Sequence, residues 1–373
     1  MKQYLIWGTG VRAREWLAWY NLLDCLKENK IKAFVDSDPN KQGKEFYGYP
    51  VIAPEDTAVM NYDAVSIWVL EKSGEIYKQL TEDMKIAADR ISDIFMPFKQ
   101  MLYEKYAASE DLEIQEIIHK LRTSHGLRIF YYDEAVSHDI LNEVYYDDKA
   151  DLYYCYFEGK RLYLKRTYSQ YIEKNGKKYV GDFWREQDKN SPHLYESEEI
   201  KVEEGDILVD AGACEGNFSL HHIDRVSKLY LVECDEEWAE ALRYTFEPYR
   251  EKVVICDKFL CDRDSDTSIC LDSLVEGTVD YIKMDIEGAE AAALNGAERI
   301  LSGNQKIKCA ICVYHQHGDE ETIRNLLCQY EFGQIEASKG YMLFLYDRSV
   351  LESPELRRGI VRGQKECRST QGV

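Results

Sequence analysis

Asp206-Ile207-Leu208-Val209-Asp210-Ala211-Gly212-Ala213-Cys214-Glu215-Gly216-Asn217-Phe218 decides how this chain is read. An apolar strand runs into a glycine turn and then a helix, and open α/β sheets bind their ligands at such carboxyl ends of strands. Gly212 lets backbone approach a ligand closely, and Gly216 permits a tight turn beside it. Ala213 and Asn217 belong to the same loop. Two carboxylates, Asp210 and Glu215, stand where a diphosphate would meet repulsion, so a cationic ligand suits the loop better.

The next strand, Leu229-Tyr230-Leu231-Val232, ends in Glu233. An acid about 20 residues beyond a glycine turn accepts hydrogen bonds from ribose hydroxyls, while Asp235 is better placed to cap the following helix. A nucleoside that also carries sulfonium and ammonium groups, S-adenosylmethionine, meets both requirements. Val254-Ile255-Cys256 precedes Asp257 and Lys258, where contacts to adenine are expected. Val279 to Met284 forms another strand that runs into Asp285, Glu287 and Glu290, acids able to converge near a methyl donor. Helix capping and dipole complementation account for Glu290, and Glu287 is a candidate substrate contact. After a further strand comes Val313-Tyr314-His315-Gln316-His317-Gly318-Asp319, where His315 can pair with Asp285 to take a proton from an acceptor hydroxyl. A divalent metal held by Asp285, His315 and Asp319 is the less favoured reading, because three scattered ligands assemble easily by chance. Cys309 and Cys312 lie three apart on a strand, so they point to opposite faces and read as core residues.

Apolar strands near 206–211, 229–233, 253–256, 279–284, 308–314 and 341–346, separated by helical segments, predict a doubly wound α/β sheet over residues 185–350. The start of the chain carries a smaller version: Tyr4 to Trp7, Gly8-Thr9-Gly10, a helix around Glu15 to Lys27, and Ala33-Phe34-Val35 ending at Asp36. A strand over Ala64 to Val69 and a helix near Ile76 to Met84 complete a Rossmann-like α/β domain over residues 1–98, in which Gly8, Gly10 and Asp36 outline a nucleotide site. Residues 99–184 read as a connecting region. It holds a helix with Ile114, Ile117, Ile118 and Leu121 on one face, then a β-hairpin with its turn at Glu158-Gly159-Lys160. Arg357, Arg358, Arg362, Lys365 and Arg368 mark 351–373 as a solvated basic tail.

With 373 residues the chain is long enough for two cores. Its 47 Lys and Arg against 68 Asp and Glu give a formal charge of −21, which argues against nucleic acid as a substrate. Eleven cysteines without a regular framework of spacings favour a reducing, cytoplasmic setting. The strand starting at Tyr4 leaves no room for a secretory leader, and no apolar run is long enough for a membrane span.

Several of these stretches resemble the FkbM family of methyltransferases: Val209-Asp210-Ala211-Gly212-Ala213 with Gly216-Asn217-Phe218, Leu271-Asp272-Ser273-Leu274, and Ile282-Lys283-Met284-Asp285-Ile286-Glu287-Gly288-Ala289-Glu290 followed by Leu294-Asn295-Gly296-Ala297. The resemblance spans roughly residues 185 to 346. It implies a class I methyltransferase fold and an acceptor hydroxyl on a sugar or on a polyketide or lipid-linked product. It also implies that Asp210, Gly212 and Glu233 bind the cofactor and that Asp285 lies at the reaction centre. One subgroup of the family is resembled further by the tyrosine-rich hairpin, Glu186-Gln187-Asp188 with Ser191-Pro192-His193, Tyr314-His315, and Arg358-Gly359-Ile360-Val361-Arg362. His193 thereby becomes a candidate substrate contact. Val313-Tyr314-His315 departs from the glutamate that many relatives carry near the end of this strand, which leaves the base open.

Ala33 to Asp38 and Gly48 to Ile52 resemble the Rossmann-like domain that opens some nucleotide-sugar acyltransferases and accompanies some sugar methyltransferases. A site for a nucleotide sugar or carrier-linked glycan follows from that resemblance. An α/β domain that has lost its ligand, or that serves contacts in a homodimer, is the equal alternative. Two competing functions remain at this level: a nicotinamide-dependent enzyme built on the N-terminal domain, and a non-catalytic protein that binds a glycan precursor.

Overall fold

The computed structural model describes residues 3–11, 13–14, 30–69, 72–93, 96–123, 141–344 and 353–365; the helix expected around Glu15 to Lys27 lies outside them. The chain divides into two compact units, Met1–Ile129 with Arg348–Glu355, and Phe130–Asp347 with Leu356–Val373. The stretch read as a connecting region is thus shared between them, its helix in the first unit and its hairpin in the second.

In the first unit, β1 (Gln3–Trp7), β2 (Lys30–Val35), β3 (Glu45–Phe46), β4 (Tyr49–Ile52), β5 (Ala64–Ile67) and β6 (Ile91–Asp93) form one sheet in the order β3-β4-β2-β1-β5-β6. Every pairing except β3 with β4 is parallel. The near-continuous apolar runs Leu5-Ile6-Trp7 and Ala33-Phe34-Val35 are buried throughout, as strands covered on both faces must be. The helix Leu112–Thr123 buries Ile114, Ile117, Ile118 and Leu121, the face its spacing predicts.

Gly8 and Asp36 take a different part from the one expected of a nucleotide site. Gly8 adopts φ +113°, and a Cβ there would lie 2.5 Å from Val69 and 3.2 Å from the Trp68 carbonyl, so packing of the strand ends requires glycine. Asp36 Oδ2 accepts from the Thr9 amide at 3.1 Å, from the Thr9 hydroxyl and from Lys41 Nζ at 2.9 Å, while Oδ1 accepts from the Asp38 amide at 3.0 Å. Burial raises the Asp36 pKa, but these donors outweigh it and the net shift is downward. The carboxylate expected to outline a nucleotide site is engaged by the chain's own Thr9, Asp38 and Lys41. A Cβ on Gly10 would meet nothing within 4 Å.

The second unit begins with an antiparallel sheet of β7 (Asn142–Asp147), β8 (Leu152–Phe157), β9 (Lys160–Tyr163), β10 (Ile172–Lys174) and β11 (Lys177–Val180), in the order β10-β11-β7-β8-β9. β8 and β9 are the predicted hairpin. Its turn residues Glu158 and Gly159 are both left-handed, at φ 49° and 78°, which suits the twist of the flanking strands.

The main sheet comprises β12 (Ile207–Ala211), β13 (Lys228–Val232), β14 (Val253–Cys256), β17 (Tyr281–Met284), β18 (Ile307–Cys312), β19 (Gln334–Ala337) and β20 (Ile360–Lys365); β15 (Phe259–Leu260) and β16 (Ser268–Ile269) form a separate two-stranded ribbon. The order is β14-β13-β12-β17-β18-β20-β19, with β20 antiparallel to both neighbours and the remaining pairs parallel. Cys309 and Cys312 are fully buried in clusters on opposite faces of the sheet. Two expectations are corrected here. The strand foreseen near 341–346 reduces, among the described residues, to a single bridge between Met342 and Arg357. The tail read as solvated supplies β20, whose Arg362 and Lys365 are buried because their side chains reach backbone carbonyls, those of Tyr195 and Leu194 for Arg362 and that of Leu301 for Lys365.

Parallel register sets Asp210 on β12 directly beside Lys283 on β17, and they form an ion pair at 3.0 Å with Asp210 wholly inaccessible to solvent. Asp210 also accepts from Ser219 at 2.7 Å, and Lys283 donates to the Gly212 carbonyl at 2.6 Å. Burial lowers the Lys283 pKa, yet Asp210 and Asp285 outweigh it and keep the ammonium charged. Lys283→Met is therefore expected to leave Asp210 buried without its cation and to cost about 3–5 kcal/mol in urea unfolding. The double variant Asp210→Asn/Lys283→Met should recover part of that loss, and equal destabilisation by the single and double variants would contradict the pairing.

Candidate active site

Since β12, β13, β17 and β18 run parallel, their carboxyl ends share one edge of the sheet, and everything that follows them meets there. Gly212 follows β12 at φ +72°, and a Cβ would sit 1.7 Å from the Asp285 carbonyl oxygen. The close approach expected between Gly212 and a ligand is thus one between the loops after β12 and β17. Gly212 and Ala213 both donate to the Val232 carbonyl, at 2.9 and 3.2 Å. Gly216, at φ +78°, caps the helix Asn217–His222, where a side chain would strike Leu242 at 2.6 Å. The Asn217 amide is engaged with the Phe183 carbonyl at 2.7 Å. Asp210, predicted to face the cofactor, instead lies beneath the loop against Lys283.

Glu233 spans the edge beside this loop. Oε2 accepts from the Cys214 amide and Oε1 from the Asp235 amide, both at 2.8 Å. Asp235 caps its helix by accepting from Glu237 and Trp238. Glu215 is half-buried, and burial raises its carboxyl pKa despite the relief offered by Cys214. Past β14, Asp257 pairs with Arg243 at 2.8 Å at an exposed position, and Lys258 reaches the Ser265 carbonyl at 3.1 Å.

Asp285 gathers the rest. Its Oδ2 accepts from Tyr195 at 2.9 Å and lies 3.3 Å from His193 Nε2; its Oδ1 lies 3.3 Å from both the Tyr314 hydroxyl and His315 Nε2. Burial would raise the Asp285 pKa, but His193, Lys283 and His315 hold it well below the usual carboxylate range. Behind His193 Nδ1 stands Glu186 at 3.6 Å, and behind His315 Nδ1 stands Glu290 at 3.1 Å. Burial lowers the His315 pKa, yet Glu290, Asp285 and Glu287 together raise it above the ordinary imidazole value. Glu287 is itself exposed, in a left-handed conformation (φ 57°) uncommon for a residue with a side chain, and 3.7 Å from His315 Nε2.

Asp319 does not join the ligand set expected with Asp285 and His315; its Oδ2 accepts from the Gln316 amide at 2.7 Å. Glu290 approaches instead, and Asp285, Glu290 and His315 bring donor atoms within 4.8 Å of one another, as do His193, Asp285 and Cys312. Asp285 and Glu290 address opposite ring nitrogens of His315.

Tyr195 and Arg357 belong to the site and were not singled out as site residues by sequence reading, while Tyr314 entered only through the subgroup resemblance and Glu290 was assigned mainly to its helix start. Gln187 fixes the 193–195 segment by donating to the His193 carbonyl and accepting from the Tyr195 amide, both at 3.0 Å. Arg357 donates to the carbonyls of Tyr314 and His315 at 2.9 Å. Gly359 fits because a Cβ there would lie 2.0 Å from the Pro192 carbonyl. The signal lay in the subgroup resemblance, whose separate stretches around 186–193, 314–315 and 358–362 prove to be neighbours.

Five parallel strands in the order 3-2-1-4-5, closed by an antiparallel strand inserted before the edge, with a glycine loop and acids at the strand ends, define the class I methyltransferase fold. Residues 166–341, which lie within the second unit, match the model of the methyltransferase FkbM domain. Residues 1–92 match a different family model, described as C2185-like, N-terminal. Among solved structures the chain is similar to methyltransferase FkbM from Methylobacillus flagellatus KT, with 14% identity over 97% of this chain and 90% of that one and a TM-score of 0.49. It is also similar to Aeropyrum pernix fibrillarin in complex with natively bound S-adenosyl-L-methionine, with 17% identity over 60% of this chain and 99% of that one and a TM-score of 0.31. No curated protein matches the chain. No helix among the described residues is long and apolar enough to cross a membrane.

The contact between Gly212 and the Asp285 carbonyl locks the two site loops together. Gly212→Ala is expected to cost more than about 1 kcal/mol in urea unfolding, through both the clash and the positive φ. An unchanged midpoint would show that the loops part more easily than this geometry permits.

Proposed function

We propose that the second unit binds S-adenosylmethionine along the loop 212–216 and Glu233 and methylates a hydroxyl of a sugar, glycan precursor or related metabolite. The observation that carries this reading is the meeting, at one sheet edge, of a glycine loop, an acid after β13 and a carboxylate held between two histidines. The donor set suits the cofactor. Glu233 has acceptor capacity left for ribose hydroxyls, and Glu215, raised in pKa by burial, gains from a neighbouring ammonium. Asp257 and Lys258 lie where adenine contacts are expected.

S-adenosylmethionine supplies an electrophilic methyl carbon on a sulfonium. The chain must hold the acceptor oxygen in line and remove its proton as the carbon–oxygen bond forms and the carbon–sulfur bond breaks. Asp285, held so strongly as the anion, is a weak base and orients the hydroxyl. His315 Nε2, on the Asp285 side of the ring at 3.3 Å, is the group that takes the proton. His193 and Glu287 flank the same position and are candidate acceptor contacts. The cluster lies in the second unit and the Asp36 loop is closed on itself, so the nicotinamide reading of the first unit is not favoured.

Calorimetry with S-adenosylhomocysteine and NAD tests the assignment. Binding of the first and not the second is expected, weakened at least about tenfold by Glu233→Ala through loss of an acceptor. Binding of NAD alone would overturn the proposal. Once an acceptor is in hand, His315→Ala is expected to reduce turnover by about a hundredfold or more while cofactor affinity holds. His315 must be neutral to accept a proton and its pKa is raised, so wild-type turnover should fall as pH drops through a value above that of a free imidazole, about 6.5. Near-normal turnover of His315→Ala across pH would exclude the imidazole as base.

A further inference from the structure

We propose that Glu290 is the positioning residue of the site: it fixes a proton on His315 Nδ1, leaving the lone pair of Nε2 turned toward the acceptor. The inference rests on the reading of His315 as the proton acceptor and adds what makes it one.

Glu290 opens the helix Glu290–Asn295, and in that position an acid ordinarily faces water and complements the helix dipole. This one is 1% exposed. Oε1 accepts from the Ile286 amide at 3.0 Å, so the carboxylate does serve the helix start, but the same oxygen lies at ion-pair distance, 3.1 Å, from His315 Nδ1, and neither that nitrogen nor Oε2 has another hydrogen-bond partner among the described residues. Helix capping alone explains neither the burial nor the approach to the imidazole. A buried carboxylate is costly unless paired, and His315 is the cation-forming side chain beside it.

The other groups facing His315 do not substitute for Glu290. Asp285 and the exposed Glu287 address Nε2, at 3.3 and 3.7 Å. Asp319, on the helix Asp319–Gln329, spends an oxygen on the Gln316 amide; Arg357 meets the backbone carbonyls of Tyr314 and His315; Tyr314 and Phe344 pack rings against the imidazole. Among the described residues, Glu290 alone addresses Nδ1. A neutral histidine carries one ring proton, and a carboxylate at Nδ1 determines which nitrogen holds it. When Nε2 accepts the hydroxyl proton, the resulting imidazolium lies between two carboxylates, and Glu290 offsets the charge on the far side of the ring from the reaction.

Nitrogen-15 NMR of the full-length, histidine-labelled protein with S-adenosylhomocysteine tests this without any acceptor. Above its pKa, wild-type His315 should carry its proton on Nδ1, and Glu290→Gln should lower the His315 pKa by about one unit or more. Glu290→Asp should retain part of that shift. A wild-type His315 protonated on Nε2 overturns the proposal whether or not any variant folds, and so does a folded Glu290→Gln with unchanged His315 titration. Added Mn2+ should leave the His315 signals unbroadened; selective broadening abolished by Glu290→Gln would replace the relay with a metal site. Each of these outcomes leaves cofactor binding, and so the methyltransferase reading, to be judged on its own.

Discussion

The ammonium of Lys283 is the constraint on which the site depends. It is buried under the glycine loop, where it neutralises Asp210 at 3.0 Å, holds the Gly212 carbonyl at 2.6 Å and lies 5.1 Å from the ring centre of Tyr195. Tyr195 in turn donates to Asp285. One charge therefore ties the loop after β12 to the strand that delivers Asp285, and the geometry of both halves follows from it. An ion pair so deep contributes little net stability when intact and costs much when broken. Its value here is that it admits one arrangement of the two loops.

Around that anchor the chemistry divides by exposure. The anion at Asp285 is fixed by two tyrosine hydroxyls and approached by two histidines, each backed by its own carboxylate. Such an anion orients and polarises better than it accepts protons. The imidazole of His315, its second nitrogen directed at Glu290 and its pKa raised by the surrounding carboxylates, is the group beside it that can exchange a proton. The C-terminal strand completes the arrangement: Arg357 holds the backbone of Tyr314 and His315, and Arg362 holds that of Leu194 and Tyr195.

Much of this was legible in the sequence, and the failures have physical causes. The order strand, glycine turn, helix around Gly212 announced the sheet edge, and Glu233, Asp285 and His315 follow strands whose apolar runs are unmistakable. Asp210 was misplaced because its partner comes from a strand distant in the chain, and only the register between β12 and β17 shows that Lys283 lies beside it. β20 was missed because Arg362 and Lys365 look like surface residues; both are buried by spending their donors on carbonyls of other segments. Glu290 passed for an ordinary helix-start acid, which it partly is. Asp36 kept the outline of a nucleotide site, while Thr9 after β1 and Lys41 after β2 closed it.

The central claim is that the cofactor lies across the glycine loop with its sulfur toward Asp285 and His315. A crystal structure of the full chain with S-adenosylhomocysteine measures this directly. The account predicts ribose hydroxyls within hydrogen-bonding distance of Glu233, the amino acid end over residues 212–216, and the sulfur nearer to the Asp285–His315 pair than to the Asp36 loop. A ligand bound along Gly8 to Asp36, or one whose sulfur points away from Asp285, would contradict it.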